Sequence, residues 1–176
     1  MTNLKLSTYI SEEEIQKKVK ELGKTLTDKL KNKKDVVAVC VLKGSFMFYS
    51  DLIRNMGIDV QCEFFGVSSY HGQSSSGEVK VTLDLARPVE GKDVILVEDI
   101  VDTGLTMNYL KNAILSRKPS SLTTVALLEK PDALKVKCDV DMVGFKIPND
   151  FVVGYGLDYD GYYRNLPYIA QVQNFN

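Results

Sequence analysis

Short apolar runs alternate with amphipathic segments along this chain, and that alternation is typical of an α/β protein. The first amphipathic segment opens with Ser11-Glu12-Glu13-Glu14, which has the form of a capping box. Apolar residues then recur at helical spacing, at Ile15, Val19, Leu22, Leu26 and Leu30. The pattern therefore predicts a helix that ends in a lysine-rich stretch, where basic side chains are favourable.

The later apolar runs have the length and the β-branched content of strands. The predicted strands are Val36–Leu42, Val60–Val67, Val79–Leu85, Val94–Val97, Thr123–Leu128, Val140–Ile147 and Phe151–Gly154. Two further helices are predicted between them, from about Phe46 to Met56 and from about Met107 to Lys118, where Pro119 ends the second. A segment rich in Tyr and Gly follows the last strand and ends at Arg164.

This order of elements predicts an α/β fold with a mostly parallel central sheet, helices on both faces and a small irregular hood formed by the chain ends. The chain has 176 residues, of which 44% are hydrophobic, so it has the size of one domain with a substantial core. We expect a single domain over residues 1–176, without internal repeats.

The charge and the cysteine content limit the kinds of binding partner and the cellular compartment that are expected. The net charge is −1 and the pI about 5.9, which gives no general electrostatic attraction to nucleic acid or anionic membranes. Cys40, Cys62 and Cys138 lie in or beside apolar runs without metal-binding spacing, so we expect small core residues of a reducing compartment. No segment has the apolar length of a signal-peptide core or a membrane span, and a cytoplasmic protein is expected.

The candidate chemistry is concentrated in Val94–Thr106. The apolar run at its start predicts a strand buried on both faces, so the acids Glu98 and Asp99 are expected at the strand's carboxyl end, where ligands bind in open α/β sheets. A loop of hydroxyls and glycine follows at 102–106 and leads into the next helix, whose N-terminal N–H groups suit a phosphate. The stretch therefore predicts a sugar-phosphate site. In an alternative interpretation, the acids mark a solvated strand end and Asp102 caps the helix.

A second loop is expected at the same edge of the sheet. Lys43-Gly44-Ser45 follows the predicted strand Val36–Leu42, and the carboxyl ends of parallel strands lie together. The two loops can therefore face one ligand. Taken alone, Lys43 is equally well explained as a surface lysine at a turn.

The run Glu98-Asp99-Ile100-Val101-Asp102-Thr103-Gly104 resembles the phosphoribosyl-pyrophosphate signature of the type I phosphoribosyltransferases, in the version of the hypoxanthine-guanine branch. The resemblance implies that Glu98 and Asp99 bind the ribose hydroxyls and the metal. It implies a general base at Asp102, which takes the proton from purine N7. It also implies a 5′-phosphate site at Asp102, Thr103, Gly104, Leu105 and Thr106, where Leu105 contributes only its backbone.

Further positions match the same family in order along the chain. The resemblance implies a cis peptide between Leu42 and Lys43, and a pyrophosphate site formed by Lys43, Gly44 and Arg164. It implies purine contacts from Lys130, Phe151, Val152 and Asp158, with Asp158 also a metal ligand. An ammonium donates to a purine oxygen and an aromatic ring stacks on the base. Core packing is the alternative for Phe151.

The serine-rich loop at about 68–78 resembles the family's mobile lid, with Ser69 and Tyr70 as the matching pair. A linker-like surface loop is the alternative, because its composition is poorly suited to a core. His71 in this loop matches no catalytic position of the family.

The implied activity is Mg²⁺-dependent transfer of the phosphoribosyl group from phosphoribosyl pyrophosphate to N9 of hypoxanthine or guanine, a purine-salvage reaction that gives IMP or GMP and pyrophosphate. Family relatives form homodimers and homotetramers, so one of these assemblies is expected. Two alternatives stay open at the level of sequence. One is a regulator that senses phosphoribosyl pyrophosphate and binds nucleic acid, and the other is a transferase that prefers xanthine or a pyrimidine.

Overall fold

The computed structural model describes residues 4–69 and 79–173. In chain order the elements are β1 (Leu6–Ile10), α1 (Glu12–Leu30), β2 (Val36–Leu42), α2 (Phe46–Arg54), β3 (Gln61–Ser69), β4 (Val79–Leu83), β5 (Asp93–Val101), α3 (Leu105–Leu115), β6 (Ser121–Glu129), a 3-10 turn (Pro131–Ala133), β7 (Met142–Lys146), β8 (Val152–Val153) and β9 (Ile169–Val172). Each strand and helix predicted from the apolar pattern is present, with ends shifted by a few residues.

Six strands form the main sheet, in the order β4-β3-β2-β5-β6-β7. All neighbours are parallel except the edge strand β4, which is antiparallel to β3. β5 therefore lies in the interior of the sheet between β2 and β6, as expected for its run of apolar side chains. The predicted α/β class with a mostly parallel sheet is confirmed.

Helices cover both faces of this sheet. α1 and α2 pack on one face through residues that include Ile15, Leu26 and Leu52, together with the inward side chains of β2, β5 and β6. α3 packs on the other face through Met107, Leu110 and Ile114. The capping box predicted for α1 is formed, because Ser11 Oγ accepts from the Glu14 N–H at 3.2 Å and Glu14 Oε2 accepts from the Ser11 N–H at 2.9 Å.

The hood over one end of the sheet is more regular than the sequence suggested. It contains a three-stranded antiparallel sheet in the order β1-β9-β8. β8 was predicted, but β1 and β9 were not. Both come from the chain ends, as the hood was expected to.

Two local features differ from expectation. The acid pair lies inside β5 rather than beyond it, because β5 continues to pair with β6 as far as Val101. Cys40 and Cys138 are buried as predicted, but the same prediction is wrong for Cys62, which is exposed. Side chains alternate along β3, where Glu63 is buried and Cys62 faces the other side.

None of the helices in the described ranges has both the length and the apolar character needed to cross a membrane.

The packing of α3 predicts that alanine substitutions at two leucines of this helix lower the free energy of unfolding by different amounts. Leu110 is fully buried, whereas Leu115 is 50% exposed. We expect Leu110→Ala to lower the free energy of unfolding by about 2–5 kcal/mol, because it leaves a cavity against the sheet. Leu115→Ala should change it by less than about 1 kcal/mol. Urea denaturation of both variants measures the difference, and equal losses would contradict the orientation of α3.

Candidate active site

The turn after β2 is in direct contact with the acidic end of β5. Hydrogen-bonded pairing between β2 and β5 extends only to Val97, so β2 is free to turn away while β5 continues along β6. Leu42 and Lys43 in this turn are joined by a cis peptide bond, as the resemblance implies. Gly44 then lies so close to Asp99 that an added Cβ would overlap the carboxylate. The glycine at this position is therefore required by the approach of the two segments.

Glu98, which is buried, and Asp99, which is half-buried, form a pair of neighbouring acids that repel each other. Glu98 is only 7% exposed, and within the described residues its Oε2 has no hydrogen-bond partner. Burial, followed by the negative charge of Asp99, raises the pKa of Glu98 well above its ordinary value. Burial also raises the pKa of Asp99 to about 6, although the Ile100 N–H and the positive charge of Arg164 act in the opposite direction.

The loop after β5 forms the start of α3. Asp102 is exposed and does not cap this helix, because the N-cap residue is Gly104, with φ +80° and no side-chain cap. The alternative in which Asp102 is a helix cap is therefore wrong. The loop is supported from behind, since Thr103 O accepts from the Lys135 N–H at 3.0 Å and Gly104 packs against Cys138.

A cleft of about 250 Å³ opens between the two loops. It is lined by seven of the predicted site residues, namely Gly44, Glu98, Asp99, Asp102, Thr103, Gly104 and Thr106. Val67 of β3 and Val79 of β4 also line it. These valines were not predicted, because each looks like an ordinary strand residue and only the sheet order brings it to the cleft. Lys43 and Leu105 are exposed beside this lining.

Lys130 directly follows β6 and lies beside Asp102, outside the residues that line the cleft. It is 7% exposed, and its Nζ lies 3.8 Å from Asp102 Oδ2. The Lys130 N–H also donates to Val101 O at 2.9 Å, which fixes the start of the following turn to the end of β5. A cation and a carboxylate predicted from separate parts of the chain are therefore neighbours.

The segment Phe151–Tyr159 reaches the site through Gly156 rather than through its first residue. Gly156 packs against Gly44 O so tightly that an added Cβ would overlap this oxygen. Asp158 Oδ1 pairs with Arg164 Nη2 at 2.6 Å, and Arg164 Nη1 donates to Gly156 O at 2.5 Å. Gly156 was not predicted as a site residue, although its place between two aromatic-rich stretches was a usable signal.

Phe151 and Val152 lie in the hood, at β8. The Phe151 ring is half-buried and meets Tyr159 edge-on at 5.9 Å, whereas the Val152 side chain is buried in the core. Among the described residues that line the cleft, none comes from the segment 151–159. Ser69 ends β3, and Tyr70 and His71 lie outside the described residues, as does nearly all of the predicted lid.

The acid pair fits a magnesium ion. Mg²⁺ prefers carboxylate oxygens, and it commonly takes one or two of them together with substrate phosphates and water. Glu98 supplies a buried carboxylate oxygen without a donor in the described part of the chain, beside the carboxylate of Asp99. No group of three acidic, His or Cys ligands is preformed among the described residues, so the remaining ligands would come from substrate and water.

Comparison with known proteins agrees with this geometry. A family model described as "Phosphoribosyl transferase domain" matches residues 7–160. The hypoxanthine-guanine phosphoribosyltransferase of Bacillus subtilis (strain 168) is 50% identical over 162 residues, which are 92% of this chain and 89% of the relative. That of Dictyostelium discoideum is 45% identical over 167 residues, 93% of each chain. The structure of Trypanosoma cruzi hypoxanthine phosphoribosyltransferase in complex with the product IMP superposes with a TM-score of 0.90 at 43% identity, over 99% of this chain and 97% of that one. The chain therefore belongs to the phosphoribosyltransferase family.

Proposed function

We propose that this protein transfers the 5-phosphoribosyl group of phosphoribosyl pyrophosphate to N9 of hypoxanthine or guanine, in purine salvage. The main support is that the acid pair, the 102–106 loop and the Gly44 turn share one cleft, with Lys130 at 3.8 Å from Asp102. The relatives described above carry this activity in their names. The regulator and the transferase with another base preference have no comparable support.

The phosphoribosyl pyrophosphate would lie across the two loops. The 5′-phosphate would bind the backbone N–H groups and hydroxyls of Asp102, Thr103, Gly104, Leu105 and Thr106, at the N-terminus of α3. Because Leu105 has no polar side chain, its contribution would come from the backbone. The ribose would lie on the acid pair, where carboxylates can accept from its hydroxyls.

The pyrophosphate would lie at the opposite end of the cleft, beside the Gly44 turn. Lys43 supplies an exposed ammonium, and the turn supplies the backbone of Gly44. Arg164 supplies a guanidinium that is already held by Asp158 and Gly156 O. These groups would offset the negative charge that develops on the leaving pyrophosphate.

The purine would lie between Lys130 and the hood. Lys130 would donate to the oxygen at position six, the Phe151 ring would stack on the base, and the Val152 backbone and Asp158 would contact its edge. Asp102 would accept the proton from N7 as N9 attacks the ribose. The exposure of its carboxylate and the lysine 3.8 Å away support this role, since a general base must be accessible to the bound purine.

We further propose Mg²⁺ as the cofactor, with Glu98, Asp99 and Asp158 as its protein ligands, which would gather around the ion only when substrate binds, since they form no preformed group of three. When bound, the ion would neutralise charge on the pyrophosphate. A single domain over residues 1–176, a lid at about 68–78 that includes Ser69 and Tyr70, a homodimer or homotetramer, and a cytoplasmic location also remain proposals.

The function predicts turnover with a specific class of base. The protein should release pyrophosphate from phosphoribosyl pyrophosphate and Mg²⁺ when hypoxanthine or guanine is added, and should form the matching nucleoside monophosphate. Xanthine, adenine, uracil and orotate, each tested in turn, serve as comparisons. Absence of turnover with every 6-oxopurine would refute the proposal, as would sub-micromolar, salt-sensitive binding of random RNA or DNA without any turnover.

The role of Asp102 predicts a selective loss of chemistry. Asp102→Asn should slow single-turnover formation of IMP by about 10²-fold or more, because it removes the proton acceptor. The affinity for phosphoribosyl pyrophosphate should stay within a few-fold. Asp139→Asn is the matched control, since Asp139 is also exposed and paired with a lysine, at 3.4 Å, but lies outside the cleft. Rapid-quench measurements compare the variants, and an unchanged rate in Asp102→Asn would remove this assignment.

The acid pair predicts an unusual dependence of stability on pH in the ligand-free protein. The pKa of Asp99 is raised from 3.8 to about 6, so between these pH values the folded protein binds more protons than the unfolded chain. The contribution of Asp99 to stability is therefore greatest below about pH 4 and falls as the pH rises to about 6. At pH 7 we expect Asp99→Asn to raise the free energy of unfolding by about 1–3 kcal/mol. Glu98→Gln should act in the same direction, and both should weaken binding of phosphoribosyl pyrophosphate with Mg²⁺.

Asp93→Asn provides the control at the other end of β5. Asp93 is also buried, but hydrogen bonds from Ser121 and Lys33 lower its pKa, so its charge is stabilised by folding. This variant should be less stable than the natural protein at pH 7. Thermal unfolding from pH 4 to 8 measures all three variants, and loss of stability in Asp99→Asn at pH 7 would contradict the expected sign.

A further inference from the structure

A hydrogen-bonded group outside the cleft connects three parts of the chain. Its centre is Asp51 in α2, whose Oδ2 accepts from Tyr155 Oη at 2.6 Å and from Gln16 Nε2 of α1 at 2.9 Å. Asp51 Oδ1 accepts from Arg54 Nη2 at 3.0 Å. Nothing in the proposed chemistry uses these side chains. Their hydrogen bonds nevertheless join α1 and α2 to the segment that carries Asp158.

Tyr155 is held rigidly at the turn of that segment. It is 5% exposed and has φ +47°, a left-handed conformation that is uncommon for a residue with a side chain. Its N–H donates to Leu166 O at 2.8 Å. Burial, together with the carboxylate of Asp51, raises the pKa of the Tyr155 hydroxyl, so this group remains a neutral donor.

Asp51 and Tyr155 each lie close in the chain to one side of the proposed pyrophosphate site. Asp51 lies in α2, which begins directly after Lys43-Gly44-Ser45, and Ser45 accepts from the Tyr49 N–H at 2.7 Å. Tyr155 immediately precedes Gly156, which packs against Gly44 O and accepts from Arg164 Nη1. The hydrogen bond therefore spans the same two segments that meet at Gly44.

We propose that Tyr155 is a positioning residue for the leaving pyrophosphate, and that its hydrogen bond to Asp51 sets the distance between the Gly44 turn and the Asp158–Arg164 pair. The inference rests on the proposed function for its ligand. A hydroxyl is not needed to fill this site, because phenylalanine has the same ring and a buried hydroxyl must be hydrogen-bonded to be tolerated. The hydroxyl is needed instead to fix the position of the segment that carries Asp158 relative to α2.

The decisive comparison is between two buried tyrosines. Tyr155→Phe removes the hydrogen bond to Asp51, whereas Tyr49→Phe removes a bond from the same helix, α2, to Ala38 O at 3.1 Å. The two side chains are equally buried, at 5% and 4% exposure. Titration calorimetry with pyrophosphate and Mg²⁺ should give roughly tenfold weaker binding for Tyr155→Phe and a change of less than about twofold for Tyr49→Phe, as expected for the loss of one bond to a charged group.

Steady-state kinetics add a readout that a loss of stability alone would not produce. In Tyr155→Phe, the KM for phosphoribosyl pyrophosphate should rise by about the same factor by which the affinity for pyrophosphate falls. The KM for hypoxanthine should rise by a smaller factor, because Asp158 is only one of the proposed purine contacts and Lys130 follows β6, away from this hydrogen bond.

Substitutions of Asp51 test the other end of the bond. Asp51→Asn keeps an oxygen that can accept from Tyr155 and should retain most of the pyrophosphate affinity. Asp51→Ala should match Tyr155→Phe, and the double variant Asp51→Ala/Tyr155→Phe should bind no more weakly than Asp51→Ala alone, because both changes remove the same interaction.

The outcomes separate this inference from the proposed function. If the natural protein binds pyrophosphate but turns over no purine, the function fails, and the calorimetric comparison still decides the role of Tyr155. If Tyr155→Phe and Tyr49→Phe bind pyrophosphate equally well, or if Tyr155→Phe raises both KM values equally, the positioning role is refuted. Failure of the natural protein to bind pyrophosphate would refute both.

Discussion

The close approach of three backbone segments at Gly44 is the constraint on which the rest of the site depends. The carboxylate of Asp99 lies next to the Cα of Gly44, and Gly156 packs against the carbonyl oxygen of Gly44. A side chain at either glycine would push apart the β2 turn, the end of β5 and the segment that carries Asp158. Segments far apart in the chain can therefore meet only because two positions lack side chains. Hydrogen bonds outside the cleft can then fix the orientation of these segments.

A second feature of the site is that its two neighbouring acids repel each other and are suited to binding a ligand. Glu98 and Asp99 are adjacent and acidic, and their removal from solvent raises the pKa of both. A protein selected only for stability would not place two such groups side by side. The basic groups nearby are already engaged, with Lys130 near Asp102 and Arg164 on Asp158. A bound metal ion can supply the positive charge that the acid pair lacks, and the hydroxyls of the substrate ribose can supply the hydrogen bonds.

Local pattern predicted most of the fold, because the elements of the main sheet and its helices have clear periodicity. The Ser11 capping box and the apolar run of β5 are complete signals within a few residues. β1 and β9 were missed because each is short and is stabilised by pairing with the other from the far end of the chain. Likewise, the motifs identified Gly44, the acid pair and Lys130, but the contacts between Gly44 and Gly156 and between Asp51 and Tyr155 depend on tertiary structure that no local pattern encodes.

The pairing of β1 with β9 has a consequence for the order in which the molecule is assembled during synthesis. The last strand of the main sheet, β7, ends at Lys146, so that sheet can form once this part of the chain has left the ribosome. β1 precedes every strand of the main sheet along the chain, whereas its partner β9 follows all of them. Through β8, β9 also holds the segment that leads to Gly156 and Asp158. β1 therefore cannot pair with β9 until every strand of the main sheet has been synthesised, and only then can the hood hold the segment of Gly156 and Asp158 in place.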